Sequence, residues 1–347
     1  MKKLTYDDYT VGIICPLEVE MTAIRYMLDE EHSRLPGKDG DRNGYILGMM
    51  GVHNVAIGYL PHGSQGTGAA ATVATDMRRT FPSVRLRMLV GIGGGIPSKK
   101  NDIRLGDVVV GMPDGIHGGV VQYDLGRSTV DGFKRKGFLC PPPDEWRTAV
   151  VQMKSDHEAK PQKIAGLVSQ MLGAFPKLRK YSRPTPDLDI LFPRNIRHVR
   201  DEPTCDQCDK SLAVVPRDSI GPEIFYGTIA SGNTVIKDAE VRDELSRVTG
   251  GALCFEMEAA GLANGFPYVV IRGICDYADS HKNDLWHPYA AATAAACAKE
   301  LLTYMDVVPG TFAFVKTFLY MSFNLKCITH ILSLNRHLID IRRDLLY

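Results

Sequence analysis

Short runs of β-branched and aliphatic residues alternate along this chain with stretches in which apolar positions recur every three or four residues. Residues 9–15 form the first such run and stop at Pro16; Met21, Ile24, Met27 and Leu28 then recur with helical spacing over 18–28. Residues 44–51 and 54–59 read as short strands separated by a turn, and 68–80, rich in alanine and threonine, as a helix. Residues 87–90 read as a buried strand that runs directly into Gly91-Ile92-Gly93-Gly94-Gly95. Three further strands are predicted at 107–111, 252–255 and 268–274, and a long helix with an alanine-rich middle at 286–305. Strands alternating with helices predict an α/β fold whose mainly parallel sheet is flanked by helices.

Two regions break the rhythm. Residues 141–222 are rich in Pro, Lys, Arg and Asp with weak periodicity, which reads as an insertion carrying helix at 146–153 and 163–172 between long connections. Residues 306–347 show no pattern that pairs with the rest and read as a tail of unknown role, which leaves 1–305 as the main domain. No internal repeat is found.

Composition narrows the function classes. With 41 basic against 40 acidic side chains the net charge is +1, which removes the electrostatic case for a nucleic-acid or membrane-surface binder. The most apolar late stretch, 307–334, is interrupted by Pro309, Lys316, Asn324 and Lys326 and falls short of the roughly 18 consecutive apolar residues of a membrane span. Residues 1–10 are polar and charged and do not read as a secretory signal. Cys15, Cys254, Cys275 and Cys297 sit in apolar context as small buried residues rather than a disulfide framework, so a reducing, cytoplasmic setting is expected.

Four segments could carry chemistry. The glycine run after the strand at 87–90 has Ile96 in place of the third glycine and lacks the helix start of a dinucleotide-binding fingerprint; it reads as a tight turn or as backbone that lets a ligand approach main-chain N–H groups. Phe255-Glu256-Met257-Glu258-Ala259-Ala260 places two carboxylates between a strand and an alanine-rich helix, where a period of two would aim Glu256 and Glu258 the same way; an acidic helix start is the plain alternative. Residues 269–279 form a buried strand that delivers Asp276 at its C-terminal end, where open α/β sheets bind ligands, although an N-cap aspartate would look the same. Glu20 follows the first strand at the start of its helix and in isolation reads as a surface residue.

Taken in order, these segments resemble the purine/uridine phosphorylase and methylthioadenosine/S-adenosylhomocysteine nucleosidase superfamily, most nearly its fungal branch often found fused to NACHT and repeat modules. The stretches that carry the resemblance are VGIICPLEVEM (11–21), GTGAAATVATDM (66–77), MLVGIGGGIP (88–97), DIRLGDVVVG (102–111), IASGNTVIKD (229–238), FEMEAAGL (255–262) and VIRGICDYADSHKN (270–283). They run over about 9–304, with 141–222 poorly matched. The resemblance implies a nucleoside phosphorylase-like three-layer fold and a small-molecule purine nucleoside or nucleotide as partner, with no cofactor. It also implies a symmetric homo-oligomer.

By the same resemblance Asp276 falls at the acid that protonates the purine, Glu258 at the residue gripping the ribose hydroxyls, and Met257 at the thioether against the ribose face. Val235 and Ile236 fall at base-contacting positions, Val235 departing from the aromatic residue common there. Gly91 to Gly95 would form the backbone cradle, with Gly91, Ile92, Gly93, Glu256 and Arg272 taken as substrate-binding and Arg272 orienting a carboxylate. Glu20 matches the nucleosidase glutamate that activates water, and Ile92 stands where a phosphate-binding serine would. Hydrolysis is therefore expected, since an anionic nucleophile near Glu20 would be repelled. Arg25 and Arg272 keep phosphorolysis open, and a catalytically silent nucleotide sensor is the alternative of another class.

Some fungal members resemble enzymes that release adenine from ATP, and a triphosphate needs several cations. Lys99, Lys100 and Arg104, or Arg127, Lys134, Arg135 and Lys136, could supply them; a solvated surface is the plain alternative. Cys205-x-x-Cys208, preceded by His198, lacks a second such pair and reads as two loop thiols, so no metal is expected. His281 and His287 read as polar residues at a helix entry.

Overall fold

The computed structural model describes residues 4–200, 202, 204–214 and 221–307. In chain order the strands and α-helices are β1 (Val11–Cys15), α1 (Glu18–Tyr26), β2 (Glu30–Glu31), β3 (Tyr45–Met50), β4 (His53–Tyr59), α2 (Gly66–Thr80), β5 (Leu86–Gly95) and β6 (Val108–Gly111). They continue with β7 (Val120–Gln122), β8 (Gly126–Thr129), β9 (Gly132–Arg135), α3 (Asp144–Ala159), α4 (Ile164–Ala174), β10 (Ile224–Gly227), β11 (Ile229–Ser231), α5 (Ala239–Val248), β12 (Cys254–Glu256), β13 (Val269–Asp276) and α6 (His287–Leu302).

The main sheet runs β10-β6-β13-β5-β1-β4-β3-β2, with β12 joined to β5 and β11 and β7 beyond it. Its centre is parallel: β13, β5, β1 and β4 run the same way, while β6 lies antiparallel to β13 and β3 antiparallel to β4. The expected mixed, mainly parallel sheet flanked by helices is what forms. Parallel strands covered on both faces read as unbroken apolar runs, and every residue of β1 and β13 is buried.

Helices α1, α4 and α6 pack together over one face, and α2 covers β1 and β4. Helix α6 is buried nearly all round, as its alanine-rich sequence requires for close approach to the sheet. Gly273 of β13 faces its backbone: a Cβ there would overlap the Ala290 carbonyl oxygen. Gly273→Ala is therefore expected to destabilise the protein by about 3 kcal/mol, seen as a lower urea midpoint; an unchanged midpoint would mean that α6 can move away from the sheet.

The stretch read as an insertion contributes to the same core. Trp146 and Met153 of α3 and Ile164, Val168 and Met171 of α4 are buried in the cluster that contains β1, β5 and α6. Beyond α4 the chain runs in irregular connections with short 3₁₀ turns, among them Pro186–Leu188 and Cys205–Gln207. The tail expected from residue 306 falls, from 308 onward, outside the described residues.

Three local readings are corrected. The glycine run is strand rather than turn, because β5 continues to Gly95, pairing with β13 and then with β12. Strands β7 and β10–β11 and helix α5 lie where the apolar pattern is too short or too polar to announce them. Finally, the alanine-rich helix expected after Glu258 is only a 3₁₀ turn, Ala259–Gly261. Gly261 packs against the Thr67 backbone of α2, so close that a Cβ would overlap it.

Candidate active site

The C-terminal ends of β1, β5 and β13 lie side by side, and a common cleft there takes Glu20 from the helix after β1, the Ile92–Gly94 stretch of β5, and Arg272 and Asp276 of β13. After β1, Glu20 occupies the first turn of α1. Its Oε2 accepts the Leu17 N–H at 2.6 Å, a helix-capping contact, while Oε1 accepts the Ile92 N–H of β5 at 2.7 Å. The residue that reads as a surface glutamate is 2% exposed. Burial pushes its carboxyl up to about 7; the Arg272 guanidinium and the Ile92 N–H pull it down, and Glu258 pushes it further up.

Strand β13 supplies Arg272 and Asp276. Arg272, fully enclosed, meets three carboxylates: Nη2 bonds Glu256 Oε2 and lies 3.3 Å from Glu258 Oε2, and Nη1 is 3.8 Å from Glu20 Oε1. Burial opposes its charge, but Glu256, Glu258 and Glu20 more than offset this and hold it above the ordinary arginine value. Glu258 also accepts the Gly66 N–H at 3.1 Å from the N-terminus of α2, where the helix dipole favours a carboxylate. Its carboxyl is raised, burial outweighing the Arg272 charge. Gly91 leaves room for this cluster, since a Cβ there would overlap Arg272 Nη1 and Glu20 Oε1.

Asp276 ends β13 at a bulge beside Cys275. Its Oδ1 accepts the Ala278 N–H at 2.8 Å, and Ala278 adopts φ +51°, the left-handed region uncommon for a residue with a Cβ. Its Oδ2 pairs with Lys282 and accepts the Cys275 thiol at 3.1 Å. Burial pulls Lys282 down, but the charges of Cys275 and Asp276 prevail and hold the ammonium above the ordinary lysine value.

Of the residues singled out in the sequence, Glu20, Ile92, Gly93, Val235, Ile236, Glu256, Met257, Glu258, Arg272 and Asp276 all line this one cleft. Gly91 does not; it sits behind the wall, next to the ion cluster. Glu256 faces the cleft, yet its oxygens are engaged by Arg272 and by the N–H groups of Glu258 and Ala259. Val235 is half exposed at the mouth. Arg25 pairs with Glu31 away from the cleft. None of Lys99, Lys100, Arg104, Arg127, Lys134, Arg135 and Lys136 belongs to the cleft wall, so charge near the glycine run in sequence does not translate into charge at the site. Among the described residues no helix is long and apolar enough to cross a membrane.

Lys282 and Gln65 line the cleft without having been singled out. Lys282 stands six residues after Asp276 within a stretch already noted, and a cation at that distance from a candidate acid is the signal available. Gln65 precedes α2 and carries no such signal. His287, read as a helix-entry residue, opens α6 and also lines the cleft.

The model of the phosphorylase superfamily matches residues 10–306. A nucleotide-binding leucine-rich repeat (NLR)-like protein of Hyaloscypha variabilis is 43% identical over 304 residues, which is 86% of this chain but only 30% of that protein. A 5′-methylthioadenosine/S-adenosylhomocysteine nucleosidase of Mycobacterium bovis is 23% identical over 305 residues, covering 86% of this chain and 98% of its own length. The ATP nucleosidase Cap17 of Escherichia coli is 34% identical over 86 residues, 23% of this chain and 17% of that protein. Among solved structures, the 5′-methylthioadenosine/S-adenosylhomocysteine nucleosidase of Helicobacter pylori complexed with a substituted pyrrolidin-3-ol superposes with a TM-score of 0.56 at 17% identity, over 86% of this chain and 99% of that one. This chain belongs to the phosphorylase superfamily.

Proposed function

We propose that this member of the phosphorylase superfamily hydrolyses the N-ribosyl bond of a purine nucleoside or nucleotide and releases the free base. The observation that carries the reading is Glu20: a buried carboxylate shifted to about 7, in the same cleft as Glu258 and Asp276. A general base works best when its pKa lies near the working pH. Each Glu20 oxygen accepts one backbone N–H and keeps a lone pair for a water proton.

In the proposed step the water oxygen bonds to C1′ of the ribose and gives a proton to Glu20. The C1′–N bond breaks with its electron pair going to the purine. That developing charge is met at N7 by a proton from the carboxylic-acid form of Asp276; the carboxylate left behind is the form that Lys282 pairs with and orients, and it regains its proton from water. Glu258, fixed by Arg272 and Gly66, accepts from the ribose hydroxyls, and Met257 packs on the ribose face.

Electrostatics favours water over phosphate as the nucleophile. Three carboxylates surround Arg272, and Lys282, also a cation among the described residues of the cleft wall, is engaged by Asp276. A dianion entering beside Glu20 would face excess negative charge at low dielectric. Likeness to the nucleosidase and to Cap17 supports the same side, and Cap17 also favours a second reading in which the substrate is ATP. With the basic clusters away from the cleft wall, a triphosphate would have to extend beyond it.

Chromatography of adenosine, inosine, methylthioadenosine and ATP incubated with the protein, with and without phosphate, separates the readings. Free base and free sugar in phosphate-free buffer, at a rate phosphate does not raise, is the expected result. Ribose 1-phosphate formed only with phosphate would establish phosphorolysis, and ribose 5-triphosphate would identify ATP as substrate. Tight nucleotide binding with no base released would favour a silent sensor.

A further inference from the structure

Outside the cleft, the segment after α4 gathers a second group of chemically active side chains. The ligand-capable atoms of His198, Cys205 and Cys208 lie within 4.8 Å of one another. In a tetrahedral zinc site, with metal–sulfur distances of about 2.3 Å and metal–nitrogen distances of about 2.0–2.1 Å, ligand atoms stand roughly 3.3–3.8 Å apart. A bound metal would draw this trio, already within 4.8 Å, to that spacing. Cys-x-x-Cys is half of a common zinc-binding pattern, and what the linear sequence lacks is the other half.

The fold brings that half alongside. His281 is 7% exposed, and neither of its ring nitrogens has a hydrogen-bond partner among the described residues. A buried imidazole without partners forgoes its hydration with nothing in return. Its ring stacks on Phe192 with centroids 4.0 Å apart and meets the His198 ring edge-on at 5.4 Å. The Cys205 thiol points to the His281 carbonyl at 3.9 Å, and Asp279 Oδ1 lies 3.7 Å from His281 Nδ1. His198 Nε2 is 2.9 Å from the Thr204 carbonyl oxygen. Metal-ligating histidines commonly donate their other ring N–H to such a carbonyl, which leaves Nδ1 as the metal donor.

We propose that His198, Cys205, Cys208 and His281 bind one structural zinc ion that clasps the irregular segment after α4 to the loop leaving β13. Two thiolates balance the charge of Zn²⁺, and the softness of sulfur with imidazole selects it over magnesium or calcium. The clasp reinforces contacts already joining the two segments: the His198 N–H to Ser280 Oγ at 3.0 Å, the Trp286 indole N–H to the Leu188 carbonyl at 3.2 Å, and Tyr277 to Asp189. The clasped loop carries Lys282 between His281 and the first turn of α6, so the metal would hold the residue paired with Asp276 in place without touching substrate.

The test is metal content of the full chain purified without chelators or immobilised metal, read by mass spectrometry. About one zinc per chain is expected, and the metal-free protein titrated with Co²⁺ should show the strong visible bands and thiolate-to-cobalt charge transfer of a tetrahedral site. Cys205→Ser with Cys208→Ser should remove both signals. His281→Ala should weaken zinc in competition with a chromogenic chelator by about tenfold or more. Wild-type protein with neither zinc nor a thiolate–cobalt spectrum would overturn the site, as would full zinc retention by the double variant. An unchanged competition curve for His281→Ala would exclude it as the fourth ligand. The wild-type measurements stand even if the double variant does not fold.

Discussion

Asp276→Asn is expected to lower base release by about a thousandfold with the fold intact. The side chain ends a fully buried strand, and both of its oxygens are engaged: Oδ1 by the Ala278 N–H, Oδ2 by Lys282 and the Cys275 thiol. Asparagine can still accept the Ala278 N–H through its carbonyl oxygen, so the turn at Ala278 should persist. Its amide would then face the Lys282 ammonium, donor against donor, and it has no proton to give to a departing purine. The loss should fall on kcat rather than KM, because the interaction is needed only as charge develops on the base. A second arm uses a substrate whose leaving group is already acidic: its rate should suffer far less from the substitution. Unaltered kcat on adenosine would remove Asp276 from the chemistry.

Glu20→Gln is expected to be comparably inactive, by about 10²–10⁴-fold, and to change how stability responds to pH. Activity of the wild type should rise as pH is raised through about 7, because only the carboxylate of Glu20 can take a proton from water. The stability effect has the opposite sense. The folded-state value lies above the ordinary 4.5, so between those two values the folded protein holds a proton that the unfolded chain releases. Stability contributed by this group is complete below 4.5 and declines as pH rises toward 7, at up to about 1.4 kcal/mol per pH unit. Glutamine does not titrate. It offers a single acceptor to the Leu17 and Ile92 N–H groups, which adds an offset that does not vary with pH. The stability of the wild type relative to the variant, from urea unfolding at pH 5, 6, 7 and 8, should therefore fall from pH 5 to about 7 and level off toward pH 8. A flat difference would mean that the buried carboxylate is not perturbed in the folded state.

The same residue shows how far the candidate site is legible in the sequence. Glu258 and Asp276 stand out because each follows a short buried run and so falls at a strand end, where α/β sheets place ligands. Glu20 reads in isolation as a surface residue at a helix start; its capping contact with Leu17 fits the helix start, but its burial overturns the surface reading, and what the local sequence misses is the second contact, to Ile92 on another strand. The glycine run is legible as unusual but not as strand. Its meaning depends on Arg272 and Glu20 lying across from Gly91, and on Asp276 Oδ1, 2.8 Å from where a Gly94 Cβ would stand. Lysines and arginines near that run look like phosphate ligands on paper, yet sequence proximity does not say which side of the sheet a loop leaves from.

Strand and helix periods, the breaks between them and the ordered stretches of the family are set by residues close together in the chain, and these the sequence determined by itself. They fix the α/β class, the central strands and membership of the phosphorylase superfamily. Tertiary structure decided what depends on distance and burial between elements far apart in the chain. It brings Glu20 and Glu258 to one guanidinium, with Asp276 in the same cleft. Excluding water there shifts Glu20 to about 7 and leaves the basic clusters outside. The Cys-x-x-Cys pair gains a facing imidazole by the same route. Protonation and coordination are settled by neighbours in space, and those neighbours exist only once β1, β5 and β13 lie side by side.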